Sequence, residues 1–89
     1  MFNDIEQTII IESRGNAYMR YDYGKLKGRI VEVYGNQKVF AEAMDWSERT
    51  CSLKLSNKVF WKQPEITKAV ELLNIEHDAI QDYFFRHLA

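Results

Sequence analysis

Residues 36–58 constrain this chain more than any other stretch, because they read as two short helices with only a tight turn between them. Asn36 stands where a cap opens the first, and Phe40, Ala41 and Met44 form its buried edge. Asp45-Trp46 makes the turn, since aspartate tolerates the left-handed backbone conformation that such a reversal needs. Ser47 then caps the second helix, its hydroxyl placed to accept from the backbone N–H of Thr50. Cys51 and Leu55, one turn apart, face inward, and Asn57-Lys58 ends the helix.

The outward side of that second helix carries small polar and basic residues. This is the pattern by which a helix-turn-helix unit presents one helix to the major groove of DNA. The flanking segments supply further helices. Leu26, Ile30 and Val33 fall at helical spacing after Gly24, and Gly35 closes that segment. Gly28 inside it costs about 1 kcal/mol relative to alanine, which predicts a close packing reason for it. Val59–Gln63 is an apolar-rich loop, and Pro64 suits the first turn of a fourth helix lined by Ile66, Ala69, Val70 and Leu73. Asn74-Ile75-Glu76 breaks the pattern, and residues 77–86 form a fifth helix with Ile80, Tyr83 and Phe84 turned inward. The fold class is all-α: five short helices over residues 21–89.

Residues 1–20 form an N-terminal extension outside that pattern. Thr8–Glu12 and Ala17–Tyr23 can make two strands of a hairpin, which is marginal alone and needs a surface to dock on. A plainer expectation is that Met19 is the native start and residues 1–18 are translated leader. Ser13-Arg14-Gly15 can be encoded by purine-rich codons that resemble a ribosome-binding site just upstream of it.

Eighty-nine residues with a 46% apolar share suffice for one small core. The single cysteine, Cys51, allows no internal disulfide and points to a reducing, cytoplasmic setting. No apolar run reaches the roughly 20 residues of a membrane span. The net charge of −1 is unevenly spread: residues 1–18 carry −2, residues 19–46 +1, residues 47–62 +3 and residues 63–89 −3. Positive charge therefore collects on the third helix and the loop after it, where phosphates would lie. His77 and His87 have no partner at metal-ligand spacing, and the glycines form no phosphate-cradling loop, so no cofactor, metal or catalytic residue is expected and the chain does not read as an enzyme.

From Tyr21 onward the chain resembles small helix-turn-helix regulators of temperate phages of low-GC Gram-positive bacteria. The resemblance lies in Tyr21–Glu32, Phe40-Ala41, Ser47–Thr50, Ser52–Lys58, Glu65-Ile66 and Tyr83–Phe85. It implies the five-helix lambda-repressor-like fold, the cytoplasm of the host bacterium, and a Cro-like role at the switch between lysis and lysogeny. The family pattern has glycine and then a small aliphatic residue in the turn, where this chain has Asp45 and Trp46. Such loci also encode antirepressors, which bind the phage repressor instead of an operator.

In the DNA reading, Arg49 is the base reader, because its fork matches both guanine acceptors. Thr50 and Ser52 serve bases or phosphates, Leu53 touches a thymine methyl, and Glu48 favours the helix dipole or accepts from cytosine. The resemblance implies that Gln37 bonds a phosphate and braces Arg49 or Glu48. Lys38, Lys54, Lys58 and Lys62 are phosphate candidates, and Asn57 either caps the third helix or reaches a phosphate. The plain alternative is a solvated helix face. In the antirepressor reading, Glu48 and an outward Leu53 meet the repressor, and Phe85 is a surface apolar residue for partner docking or homodimer formation. Trp46 and Trp61 flank the third helix; Trp46 reads as a core aromatic, and Trp61, in the apolar loop with Val59 and Phe60, is either tucked under the fourth helix or a homodimer contact.

Overall fold

The computed structural model describes residues 20–88, and these form an all-α domain. Five α-helices follow one another among the described residues: α1 (Gly24–Tyr34), α2 (Gln37–Ala43), α3 (Glu48–Leu55), α4 (Gln63–Leu72) and α5 (Ile80–Phe84). A single 3₁₀ turn, His77–Ala79, leads into α5, so the predicted fifth helix is real but shorter and split. No helix among the described residues is long and apolar enough to cross a membrane. The first predicted strand, the first three residues of the second and the proposed start at Met19 lie outside the described residues.

The helix ends follow from local chemistry. Asn36 accepts from the Val39 N–H at 2.9 Å, and Ser47 accepts from the Thr50 N–H at 3.1 Å. Asp22 accepts from the Gly24 N–H at 2.9 Å and so opens α1. In α4, Pro64 sits in the first turn and the Glu65 carboxylate reaches back to the Lys62 N–H at 2.8 Å. At the other ends the chain turns left-handed, at Gly35 (φ 90°), Asp45 (φ 65°), Asn57 (φ 64°) and Asn74 (φ 52°). After α2, Trp46 N–H donates to Ala41 C=O at 2.8 Å and Asp45 N–H to Glu42 C=O at 3.0 Å. After α4, Ile75 and Asn74 make the same pair of bonds, to Val70 and Glu71. These are Schellman closures, which satisfy the last carbonyls while reversing the chain. Arg29 adds a remote cap, its Nε donating to Leu73 C=O at 2.8 Å.

The core gathers Leu26 and Ile30 from α1, Phe40 and Met44 from α2, Cys51 and Leu55 from α3, and Ala69, Leu73 and Phe84 beyond them. Trp46 and Trp61 pack edge to face at 5.2 Å, and Trp61 meets Phe84 at 5.1 Å, so Trp46 packs on the core as expected and Trp61, of the two places open to it, is tucked in beside it. Two expectations fail. Val33 remains 42% exposed in the last turn of α1, although it falls on the side of Leu26 and Ile30. Gly28 has no close neighbour either: a Cβ built there meets nothing within 4 Å.

The described part of the second predicted strand pairs elsewhere. Tyr21 forms an isolated antiparallel bridge with His87, flanked by Asp22 N–H to Arg86 C=O (2.6 Å) and Leu88 N–H to Arg20 C=O (3.0 Å). In this register the two residues are a non-hydrogen-bonded pair with close side chains, and their rings stand 5.3 Å apart.

Gly28→Ala should therefore raise stability by about 0.5–1 kcal/mol, a few degrees in Tm by calorimetry. Gly35→Ala should lower it, since alanine there must hold a positive φ. Burial, with the Glu48 carboxylate adding to it, pushes the Cys51 thiol up to about 11 from 9.0. Burial, with Tyr21 adding to it, pushes the Tyr23 phenol up to about 12 from 10.0. Both folded-state values are raised, so the neutral forms stabilise the fold fully below pH 9, and this contribution is lost as pH climbs through 9–11 and then 10–12. Urea midpoints should hold steady up to pH 9 and fall above it, with Cys51→Ala removing the first part of the fall.

Candidate recognition face

Helix α3 is short, and only Cys51, Lys54 and Leu55 are buried on it. The opposite side carries Arg49, Ser52 and, just past its end, Ser56, all exposed, with Leu53 half-buried, while Glu48 is exposed in the first turn, three residues before Cys51 and toward its side. Lys38 on α2 and Lys58 and Lys62 beyond α3 are also exposed, while Gln37, the first residue of α2, is half-buried. The sequence thus places the face correctly. Three of the residues it puts forward are engaged within the domain.

Lys54 is withdrawn from the surface. Its ammonium donates to Glu65 Oε1 at 2.9 Å and to Phe60 C=O at 3.0 Å, and it lies 5.3 Å from the centre of the Trp46 ring. A group held so cannot also reach a DNA phosphate. Its own carbonyl accepts from Trp61 Nε1 at 3.3 Å. Thr50 is committed to the cap: the Ser47 hydroxyl donates to its Oγ1 at 3.0 Å while accepting from its N–H. Asn57 closes α3 through its left-handed backbone, as its place at the helix end predicts, and its side chain turns to Tyr21. Its Oδ1 accepts from Tyr21 N–H at 2.9 Å and its Nδ2 donates to Tyr21 C=O at 2.8 Å.

That last contact has a simple logic. The Tyr21–His87 pairing leaves the N–H and C=O of Tyr21 pointing away from the tail, where a third strand would lie. The Asn57 amide offers an acceptor and a donor in the same order and takes that place. The latch was not legible in the sequence, since 36 residues separate the partners. It ties the end of α3 to the start of the domain.

The charge of the face changes as a result. With Lys54 paired inside, the exposed charges on α3 are Glu48 and Arg49, of opposite sign. The exposed positive charge that remains nearby belongs to Lys38, Lys58 and Lys62 at the flanks. Phe85 stands 42% exposed, as expected, its ring meeting Tyr21 edge-on at 6.0 Å. Among the described residues no three His, Cys, Asp or Glu side chains are grouped to hold a metal ion.

Asn57→Ala removes the latch and also puts a Cβ-bearing residue without a local polar group in left-handed conformation. It should cost about 2 kcal/mol in denaturant unfolding. Asn57→Gly loses the latch but keeps a residue at ease in the left-handed backbone, so it should cost less.

No curated protein matches the chain. Among solved structures it is similar to the solution structure of the modulator of repression (MOR) of the temperate bacteriophage TP901-1 from Lactococcus lactis. The identity is 54%, the match covers 75% of this chain and 90% of that one, and the TM-score is 0.67. A family model described as a protein of unknown function (DUF739) matches residues 19–87. By that match over most of its length, the chain belongs to the DUF739 family.

Proposed function

We propose that this protein regulates the lysogeny switch of a temperate phage by binding the phage repressor through the outer face of α3. The observation that carries the reading is the cancelled charge of that face. Glu48 and Arg49, of opposite sign, are exposed on α3 together with Ser52 and a half-buried Leu53, and Lys54 is consumed inside the domain. A surface that depends on phosphates needs a positive excess. A mixed surface with an apolar border suits a protein partner, where complementary charges give specificity and apolar area gives affinity. The 54% identity to a modulator of repression supports the regulatory role.

A second reading retains one observation in its favour. Arg49 is exposed in the first turn of α3, beyond the Ser47 cap, with Lys38, Lys58 and Lys62 exposed nearby. That arrangement is how a helix-turn-helix reads an operator, with an arginine on a base and lysines on phosphates. It is the Cro-like alternative.

Titration of the repressor encoded by the same phage, followed by calorimetry, separates the two. Leu53→Glu should weaken repressor binding at least tenfold, about 1.4 kcal/mol or more, with the helical circular dichroism unchanged. Parent-like binding by that variant would refute the repressor reading. Retention of operator DNA by the chain alone at low salt, lost steeply as salt rises and on Arg49→Ala, would establish the Cro-like alternative instead.

A further inference from the structure

We infer that the buried Lys54–Glu65 pair is a positioning device that sets the roll of α3 about its own axis, and so decides where Arg49, Ser52 and Leu53 point. The inference rests on the reading of α3 as the recognition element and adds the residues that aim it.

Three side chains anchor α3, and Lys54 is one of them. Cys51 and Leu55 hold by apolar burial, which is not directional and tolerates a small rotation. Lys54 holds by fixed bonds: to Glu65 in the first turn of α4, to the Phe60 carbonyl in the connecting loop, and against the Trp46 ring in the turn before α3. The bond from Trp61 to the Lys54 carbonyl adds a fourth restraint at the same residue. Glu65 is itself immobilised, because its Oε1 also accepts from the Lys62 N–H that opens α4. The ammonium is thus referenced to both chain segments that flank α3. Leu53 is its immediate neighbour, and Arg49 lies five residues back.

The lever is short and sensitive. A side-chain tip about 6 Å from a helix axis moves about 2 Å for a roll of about 20°. Displacements of that size disrupt a complementary contact, which demands placement within about 0.5 Å. Stability responds differently. Burying two charges costs desolvation that their attraction roughly offsets, so an uncharged replacement of both is often neutral or stabilising. The pair then contributes direction more than free energy of folding.

The test uses Lys54→Met combined with Glu65→Gln, in the full chain. Glutamine keeps an acceptor for the Lys62 N–H, and methionine keeps the length of the lysine stem. The expected result is a Tm within a few degrees of the parent, a shifted phase of the residual dipolar couplings along α3 with α1 and α4 unchanged, and at least tenfold weaker binding of the same phage's repressor. Parent-like couplings in α3 would overturn the inference, as would shifted couplings with full repressor affinity. A general loss of Tm with α3 unmoved would make the pair merely structural and overturn it too. If the parent chain binds no repressor, the functional proposal fails by itself, and the α3 couplings alone decide the positioning role. Should the double variant not fold, Glu65→Gln alone decides it, since that variant keeps the cap and a neutral acceptor for Lys54: α3 couplings unchanged from the parent overturn the inference, and a shift confined to α3 upholds it.

Discussion

Sharp reversal of the backbone is the constraint on which this domain depends. Five helices occupy so few residues only because the chain turns left-handed immediately after α1, α2, α3 and α4, at Gly35, Asp45, Asn57 and Asn74. Three of these four are Asn or Asp, the side chains that enter that region at least cost after glycine. Each reversal also settles the orphan carbonyls of the helix it closes, so the turns need no extra residues to satisfy the backbone. The core is then assembled from helices too short to be stable alone, each contributing one to three buried side chains.

Much of this architecture was legible in the sequence because it is local. The Asn36 and Ser47 caps, the Asp45 turn and Pro64 in the first turn of α4 all act within four residues, and their residue types carry the information. The buried arc of α2 and the inward pair Cys51 and Leu55 follow from periodicity alone. The face of α3 was therefore predictable as a face. Its members were not, where a long-range contact decides. Lys54 reads as one solvated lysine among many until Glu65, eleven residues on, and the Trp46 ring are placed around it. Asn57 reads as a helix terminus, and its amide finds Tyr21 only after the ends of the domain have met. Gly28 shows the converse error: a residue type that implies crowding stands in open space.

The likeness to a modulator of repression and the cancelled exposed charge of α3 are independent observations. A DNA reader and a protein that engages a DNA reader can share one backbone and differ only in what the exposed helix carries. Taking Lys54 inside removes one positive charge from the exposed surface of α3 and makes it a strut between α3 and α4.

The ladder between Arg20–Asp22 and Arg86–Leu88 has a mechanical consequence. Because these segments run antiparallel and residues 20 and 88 lie side by side, tension applied through those two residues meets the backbone bonds one after another. Such a seam opens like a zipper, at low force, and does not shear as a block. Once Leu88 and then Arg86 have let go, only the Asn57 amide still grips Tyr21 by its backbone, and the strain passes directly to the far end of α3.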